Sequence, residues 1–378
     1  MKYRAFGNTE FDVSALGFGC MRFPVDEDKK TVNTDEAIKM IRYAIDNGVN
    51  YFDSAHGYHD GTSEVVLGKA LKDGYRQKVK IATKLPVWDV KSPDDFDRLL
   101  AEQLERLGVD YIDYYLFHGL GRGSYDTLKD NNLFDKMDTA MGDGRIKGAA
   151  FSFHDDYDCF VELLNMYSNW SMAQIQFNYI DKNNQAGEKG VKYAADKGIA
   201  IAAMVPCLGG RLANLPPDAE KALTGSDKER SLVQWAYDWV WNYPGVSTVL
   251  SGMSAMQQVI DNVNYACDSQ INSMTTGDLK RIDNAVEEIN KIPQIPCTLC
   301  KYCMPCPQNV NIPACLTAMN EGRKYGPDAA MSIYNWWMDE SEHADKCNSC
   351  GTCEPKCPQK INISNEIPKV AEYITTLI

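Results

Sequence analysis

The sequence lacks several features that mark particular classes of protein. It has no uncharged apolar run of about 18 residues, so we expect no membrane-spanning helix and no membrane partner. Residues 1–6 include no apolar stretch of the secretory type, which predicts a cytoplasmic protein. Acidic residues outnumber basic ones: the chain has 39 lysines and arginines and 52 aspartates and glutamates, which gives a net charge of −13. Such a charge repels phosphate backbones, so we expect no nucleic-acid partner.

Cysteine is scarce over most of the chain and dense at one end. Nine of the 13 cysteines lie in residues 297–378. A disulfide scaffold needs a secreted context, so this concentration predicts metal binding instead. The length of 378 residues suits two domains or a barrel with an appendage. Two prolines between residues 291 and 296 mark the predicted boundary, which gives domains at 1–290 and 291–378.

Eight short apolar runs, spaced roughly thirty residues apart, alternate with amphipathic helical patterns. The runs are 15–19, 50–53, 79–84, 112–118, 147–151, 173–176, 199–204 and 246–250. This pattern predicts an α/β fold, a (β/α)₈ TIM barrel, with a hairpin over residues 3–13 at one end. A doubly wound open sheet is the alternative, but residues 17–22 are not the GxGxxG fingerprint of such sheets.

Four ionisable residues follow three consecutive predicted strands, at the barrel end where active sites lie. They are Asp53, Tyr58, Lys84 and His118. An ammonium held near a tyrosine lowers the phenol pKa towards the working range, and Asp53 is the natural anchor for Lys84. His118 would donate a hydrogen bond to an oxygen that becomes negative. The group therefore predicts protonation of a carbonyl oxygen while hydride reaches its carbon.

The surrounding sequence is similar to the signature of the aldo-keto reductase superfamily. Residues 50–58 read Asn-Tyr-Phe-Asp-Ser-Ala-His-Gly-Tyr, and Ser63-Glu64 and Leu67-Gly68 follow. The resemblance covers residue 3 to about residue 270. It implies a barrel that interconverts a small carbonyl compound and its alcohol with NADH or NADPH. Its catalytic residues would be the four just named.

The same resemblance implies where the nucleotide binds. Asp53, Ser152 and Gln176 would hold the nicotinamide ribose and carboxamide, and Gly19 and Cys20 would lie beside them. The adenosine end would be held by Ser251, Gly252, Ser254, Gln258 and Asn262.

Three positions depart from the family pattern. Phe153 stands where an Asn commonly follows the Ser, and Met204 stands where many members stack a Tyr on the nicotinamide. Ser254 replaces a basic residue that contacts the 2′-phosphate in many members, which favours tolerance of NADH. These departures also leave a flavin open as an alternative occupant. Phe23, Trp88 and residues 119–125 are candidates for the substrate pocket, with ordinary packing at the barrel rim as the alternative.

The C-terminal domain contains an internal repeat of cysteines. One half has Cys297, Cys300, Cys303 and Cys306 at x2 spacings, and the other has Cys347, Cys350, Cys353 and Cys357 with x3 before the last. Pro follows the fourth cysteine in both. This is close to the bacterial ferredoxin run, whose fourth cysteine ligates the other cluster. Zinc is the alternative metal, although its structural sites usually take paired CxxC knuckles.

On the ferredoxin pattern, two 4Fe–4S clusters bind to crossed sets of cysteines. One set is Cys297, Cys300, Cys303 and Cys357, and the other is Cys347, Cys350, Cys353 and Cys306. The spacer of about forty residues predicts a small, mainly α-helical domain. We expect the other cysteines, Cys159, Cys207, Cys267 and Cys315, to be small buried apolar residues.

The sequence therefore predicts an oxidoreductase whose clusters relay electrons to or from an external one-electron carrier such as a ferredoxin or flavodoxin. Two alternatives remain at this point. The clusters could be structural or redox-sensing parts of the same enzyme, or the protein could be a non-catalytic electron-transfer or regulatory protein on a barrel scaffold. A hydride moves two electrons together whereas each cluster passes one, and the sequence shows no flavin fingerprint that would join the two steps.

Overall fold

The computed structural model describes residues 1–28 and 30–377, which divide into two compact units. The first unit comprises residues 1–208 and 234–274, and the second comprises residues 209–233 together with the chain from 275 onward. The helix that follows residue 275 groups with the second unit because it packs on the 209–233 segment. There, Ser226 Oγ donates to Asp278 Oδ1 over 2.7 Å. This division differs from the boundary at residue 290, which stays a prediction.

Within the described residues, ten strands form a two-stranded hairpin and a closed parallel barrel. The strands are β1 Tyr3–Ala5, β2 Asp12–Ser14, β3 Leu16–Gly19, β4 Tyr51–Asp53, β5 Lys80–Leu85, β6 Ile112–Leu120, β7 Ile146–Phe153, β8 Trp170–Gln176, β9 Ala200–Met204 and β10 Thr248–Gly252. In the barrel each strand from β3 to β9 pairs with its successor, and β10 closes the ring between β9 and β3. The predicted eight-stranded barrel is confirmed, and the open sheet is wrong.

The part of the chain that the structure describes also contains fourteen α-helices. They are α1 Thr34–Asp46, α2 Thr62–Ala70, α3 Asp94–Leu107, α4 Tyr125–Asp130, α5 Leu133–Gly142, α6 Tyr157–Met166, α7 Gly187–Asp196, α8 Pro217–Ala222, α9 Leu232–Trp241, α10 Met256–Cys267, α11 Thr276–Asn290, α12 Ile312–Tyr325, α13 Pro327–Trp336 and α14 Ile363–Thr375. No helix within the described residues has both the length and the apolar character needed to cross a membrane.

Local sequence explains several helix ends. Asn33 caps α1, because its side chain accepts a hydrogen bond from the Glu36 backbone N–H. Helix α3 ends at Gly108, whose φ of 63° is the left-handed conformation that glycine tolerates at this position. Gly68 allows α2 to approach α3 closely, since a Cβ there would lie 2.3 Å from the Leu107 carbonyl oxygen.

The hairpin β1–β2 covers the amino end of the barrel. Phe6, between its two strands, is fully buried, and its ring centroid lies 4.7 Å from that of Tyr114 and 5.6 Å from that of Tyr51. Tyr51 is the first residue of β4, so these rings fill the barrel at the end where the strands begin. The carboxyl ends of the strands are left for a site.

The second unit is helical and has its own apolar core, as predicted. Helices α12, α13 and α14 supply most of it, through buried residues such as Leu316, Ile333 and Ile367. The cysteines Cys303 and Cys315 belong to the same core. The helices therefore form a scaffold around the cysteine repeat.

Candidate active site and cysteine sites

The four predicted catalytic residues converge at the carboxyl ends of three neighbouring barrel strands. Asp53 is the last residue of β4, Lys84 lies near the end of β5, and His118 lies near the end of β6. Tyr58 begins a short 3₁₀ turn, residues 58–61, just after β4. Because β4, β5 and β6 are adjacent in the barrel, residues far apart in sequence share one rim.

The Lys84 ammonium is the centre of this group. It donates hydrogen bonds to Asp53 Oδ1 over 2.7 Å, to the Ser54 carbonyl oxygen over 2.6 Å and to Tyr58 Oη over 3.3 Å. The Lys84 side chain is completely buried. Its three N–H donors are therefore all used, which holds the ammonium in one orientation beside the phenol.

Burial dominates the protonation of Tyr58. The Lys84 ammonium lowers the pKa of the phenol, as expected from sequence, but desolvation is the larger effect and raises the net pKa above its ordinary value. The Asp53 carboxylate in turn raises the pKa of Lys84, although burial alone would lower it. Tyr58 is therefore a protonated phenol beside a charged ammonium at neutral pH.

The turn that carries Tyr58 has an unusual backbone. His59 and Asp60 have φ values of 51° and 52°, and Gly61 follows with 85°. Non-glycine residues rarely adopt this left-handed conformation. The His59 ring secures the turn, since its Nε2 accepts a hydrogen bond from the Phe23 backbone N–H over 3.1 Å and the two rings stack at 5.6 Å.

His118 is largely buried and uncharged. Desolvation, with repulsion from Lys84 and His154, lowers the pKa of its imidazole to about 3. Its ring lies edge-on to the Tyr58 ring at 6.1 Å and 4.9 Å from the Trp88 ring. Among the described residues, its buried Nδ1 has no hydrogen-bond partner. A substrate oxygen at this place would meet both a phenol and a neutral imidazole.

A second buried network lies behind Lys84, and sequence reasoning missed it. Glu64 is fully buried and accepts hydrogen bonds from Thr83 Oγ1 over 2.5 Å and from Gln103 Nε2 over 2.6 Å. Gln103 also donates to the Lys84 carbonyl oxygen over 3.1 Å. Burial raises the pKa of Glu64. The sequence held two signals for it: the Ser63-Glu64 pair in the family signature, and the position of Gln103 on the apolar face of α3.

The residues predicted to hold the nicotinamide lie on the same rim as the catalytic group. Strand register places Gly19 opposite Asp53, and Gln176 opposite Met204. Cys20 is buried, and its backbone N–H donates to the Asp53 carbonyl oxygen over 2.7 Å. Ser152 is buried and accepts from the Gly119 backbone N–H over 2.7 Å.

Gln174, which was not predicted, lies opposite Ser152 in the sheet and interacts with the Asp53 carboxylate. Its buried Oε1 has no partner among the described residues. Gln174 and Gln176 are two residues apart on β8, so their side chains point to the same face of the strand. The sequence alone therefore could not show which of them lies beside Asp53.

The residues predicted for the adenosine end follow β10. Gly252 is the last residue of that strand and lies opposite Gly19. The Ser254 backbone N–H donates to Gln258 Oε1 over 2.8 Å, so these two residues are linked. Ser251 and Asn262 are joined by a bond of 3.1 Å from Asn262 Nδ2 to Ser251 Oγ. The groups in residues 252–258 that remain available to bind a ligand are therefore the backbone and the exposed side chains.

The candidate pocket residues also surround the catalytic group. Phe23 is buried beside His59, and Trp88 is 63% exposed beside His118. The 119–125 loop is fastened by Arg122, whose guanidinium pairs with Asp155 and Asp156 at 3.2 and 2.7 Å. The assignment of these residues to a substrate pocket stays a prediction.

The eight repeat cysteines divide between two cavities of similar volume, about 310 and 330 Å³. The first cavity is lined by Cys297, Cys300, Cys303 and Cys357, here called the first set. The other is lined by Cys306, Cys347, Cys350 and Cys353, the second set. Each cavity thus has three cysteines from one half of the repeat and the fourth from the other half.

The donor sets fit iron–sulfur clusters. All eight thiols are free, and Cys300 and Cys350 are exposed. Burial raises the pKa of the Cys303 thiol, and repulsion from the other three members of its set raises it further. No three His, Cys, Asp or Glu side chains within residues 1–28 and 30–377 are close enough to bind a single metal ion. Four thiols around each cavity are the donor set that a 4Fe–4S cluster takes.

The two cavities share a wall. Ile312 and Ile363 line both of them, and each is the first residue of its helix, α12 or α14. These isoleucines occupy equivalent positions in the repeat, six residues after Cys306 and Cys357. The repeat therefore builds a pseudo-symmetric pair of sites. Of the remaining cysteines, Cys159 and Cys315 are buried, whereas Cys207 and Cys267 are only partly so.

Comparisons with known proteins agree with this architecture. The chain matches the aldo/keto reductase family over residues 15–287 and a 4Fe–4S dicluster domain over residues 296–362. It is 26% identical to L-galactose dehydrogenase of Arabidopsis thaliana over 313 residues, which are 77% of this chain and 96% of that protein.

Solved structures show the same fold. The aldo-keto reductase AKR11C1 of Bacillus halodurans, in its holo form, is 25% identical with a TM-score of 0.63, covering 75% of this chain and 96% of that one. An aldo-keto reductase of Klebsiella pneumoniae, solved in complex with NADPH, is 19% identical with a TM-score of 0.61 over 75% and 95%. The chain belongs to the aldo/keto reductase family and carries a C-terminal 4Fe–4S dicluster domain.

Proposed function

We propose that the barrel interconverts a small carbonyl compound and its alcohol with NADH or NADPH, and that the two clusters relay electrons to or from an external one-electron carrier. The observation that carries the first part is the Lys84 ammonium, which contacts both Asp53 and the Tyr58 phenol. Family membership supports an oxidoreductase. The NADPH bound by the Klebsiella pneumoniae enzyme of the same fold supports a nicotinamide cofactor, and nothing in the comparisons supports a flavin.

A bound nicotinamide would supply hydride chemistry in the reducing direction, and Tyr58 supplies the proton. Its raised pKa keeps the phenol protonated until the carbonyl oxygen becomes negative. Lys84 then stabilises the phenolate that remains, because its ammonium is held beside the oxygen. Asp53 balances the buried ammonium and keeps it in position.

His118 orients the carbonyl oxygen. A neutral imidazole has one N–H donor and one acceptor, so it can polarise a carbonyl without adding a charge to the buried site. The His118 ring lies edge-on to the Tyr58 ring, with 6.1 Å between their centroids, so the two groups are placed to contact one carbonyl oxygen together. Residues Ser152, Gln176 and Gln174 would hold the carboxamide and ribose beside it.

The dicluster domain supports the second part of the proposal. When bound, the clusters would supply one-electron chemistry, and the first and second cysteine sets would hold them. Ile312 and Ile363 line both cavities, so the two sites are adjacent. Two adjacent clusters favour electron relay, because a single cluster would be enough to stabilise the fold.

The barrel chemistry is tested by Tyr58→Phe, which removes only the phenol oxygen. Carbonyl reduction with NADPH should fall by about 10²–10⁴, the usual contribution of a general acid. The affinity for NADPH should stay the same, since the hydroxyl does not belong to the predicted nucleotide contacts. Tyr3→Phe, at a half-exposed tyrosine, is the matched control. Unchanged reduction by Tyr58→Phe would refute the assignment and favour a non-catalytic barrel.

The relay is tested separately with protein that is fully loaded or deliberately free of iron. If the clusters relay electrons, a reduced carrier should drive carbonyl reduction only in the loaded protein, while reduction by NADPH persists in both. Equal behaviour of the two forms with both reductants would show that the clusters are structural or sensing.

A further inference from the structure

We propose that an acidic one-electron carrier protein docks on the rim of the first cysteine set. The first rim comprises residues 298–302 and 358–360, and the second rim comprises the equivalent residues 348–352 and 307–309. This inference rests on the relay proposed above and names the surface and the kind of partner that the relay uses.

The two rims have the same backbone. Leu299 and its equivalent Ser349 have φ values of 58° and 57°, and Lys301 and Gly351 have 61° and 72°. The turns after the fourth cysteines also match, since the backbone N–H groups of Lys360 and Asn309 each donate over 3.0 Å to the cysteine carbonyl three residues earlier. Each rim exposes one cysteine of its set. Differences between the rims therefore lie in their side chains.

Those side chains differ where they meet solvent. The first rim exposes Leu299 and Tyr302, by 45% and 67%, where the second has Ser349 and Thr352. A bulky residue such as Leu299 rarely adopts a positive φ, and the equivalent position of the second rim is a serine, Ser349. The turn itself therefore does not require a leucine. Exposed apolar and aromatic side chains beside a redox site are typical of the centre of a protein–protein interface.

Charge distinguishes the rims in the same direction. Lys301 lines the first cavity, and Lys360 follows Gln359 on the same rim, where the second rim has Gly351 and Asn309. Neither rim contains an acidic residue, so the two lysines alone make the first rim the more positive one. Near the second cavity, Glu354 accepts a hydrogen bond from the Ser364 backbone N–H over 3.0 Å, and Lys346 is paired with Asp345 at 2.7 Å.

The first rim is thus a positive, partly apolar patch on a chain whose net charge is −13. An acidic partner is repelled by most of this protein and attracted to a local excess of lysine, which steers its encounter. At this rim one electron leaves the reduced carrier and one enters the first cluster, with no proton transferred. Two such transfers oxidise two carrier molecules and supply one electron for each of the two clusters.

The charge part is tested with Lys301→Gln/Lys360→Gln and the control Lys346→Gln/Lys369→Gln. Both double variants remove two exposed lysines from the second unit. The probe is a chemically reduced, acidic 2Fe–2S ferredoxin mixed with the oxidised holoprotein in a stopped-flow spectrometer. At low salt the first variant should reduce the second-order rate constant about tenfold and remove most of its salt dependence, while the control stays within about twofold of wild type.

The apolar part is tested with Leu299→Ser/Tyr302→Thr, which copies the second rim onto the first. It should weaken ferredoxin association at high salt, where the charge effect is screened. Iron content and the rate of reduction by dithionite should match wild type in every variant, which shows that the clusters are intact. Equal losses in the test and control charge variants, or no loss in either, would overturn the docking surface.

The same experiment separates this inference from the relay on which it rests. If ferredoxin reduces the clusters with the expected dependence on the first rim but never drives carbonyl reduction, the relay fails and the docking surface stands. If carrier-driven carbonyl reduction occurs and is insensitive to Lys301 and Lys360, the relay stands and the docking surface fails.

Discussion

The Lys84 ammonium lies 2.7 Å from the Asp53 carboxylate, and neither side chain is more than 4% exposed. A buried pair of this kind contributes little to stability when complete, but removal of one partner leaves an uncompensated charge. The pair therefore links the proposed proton transfer to the stability of the barrel.

Lys84→Met should affect both properties. The loss of the ammonium leaves Asp53 buried without its charge partner, which should lower the free energy of unfolding by about 3–5 kcal/mol. It also removes the group that stabilises a Tyr58 phenolate, so carbonyl reduction should fall by at least about 10². Denaturant unfolding and steady-state kinetics measure the two effects. Lys39→Met, at a lysine whose side chain is 68% exposed, is the control and should change neither.

The pH dependence of carbonyl reduction follows from two shifted pKa values. Burial raises the pKa of Tyr58 above its ordinary value of 10.0, and the pKa of His118 is lowered to about 3. At pH values between these two pKa values, Tyr58 stays protonated and His118 stays neutral. We therefore expect kcat/KM for reduction to be flat from about pH 5 to about pH 9 and to fall only as Tyr58 ionises. A titration near pH 6.5 that disappears in His118→Asn would contradict this assignment.

Ser254→Arg should change the preference between nucleotides. Ser254 is exposed, and its backbone N–H is bonded to Gln258. If residue 254 lies beside the ribose, an added guanidinium can form charge-assisted hydrogen bonds with the 2′-phosphate, each worth about 1.5–3 kcal/mol. The dissociation constant for NADPH should then fall about tenfold while that for NADH stays the same, as measured by fluorescence titration. Ser273→Arg is the control for added charge, and equal gains for both nucleotides would argue against the proposed position.

The crossed membership of the cysteine sets can be tested with two double variants. Cys297→Ala/Cys357→Ala removes two members of the first set and should leave one intact cluster. Cys297→Ala/Cys306→Ala removes one member from each set and should leave none. Iron and sulfide analysis of anaerobically purified protein distinguishes these outcomes. If each half of the repeat held its own cluster, the two results would be exchanged.

Much of the fold and site was predictable because its signals are local. Each barrel strand is a short apolar run, and parallel strands bring Asp53, Lys84 and His118 to one end whatever the loops contain. The crossed cysteine sets followed from the position of Cys306 and Cys357 before proline.

Other features depend on contacts that no local pattern reveals. Gln103 is the polar residue on the apolar face of its helix, and only packing places its amide against Glu64 and the Lys84 carbonyl. The 209–233 segment groups with the second unit through contacts such as Arg211 Nε to Glu321 Oε2 at 2.5 Å. The pKa of Tyr58 depends on how far burial outweighs the Lys84 ammonium, and a sequence shows the ammonium but not the burial.

Each cavity takes its fourth cysteine from the other half of the repeat, and this also determines when the two sites can form during biosynthesis. A nascent chain that ends before residue 347 presents three cysteines of the first set and one of the second, so neither cavity has its four ligands. Both sites become complete only after Cys357 has left the ribosome, when α14 can bring Ile363 against Ile312. Iron insertion is consequently a late event in biosynthesis, and a chain cut before Cys353 lacks at least one ligand in each cysteine set.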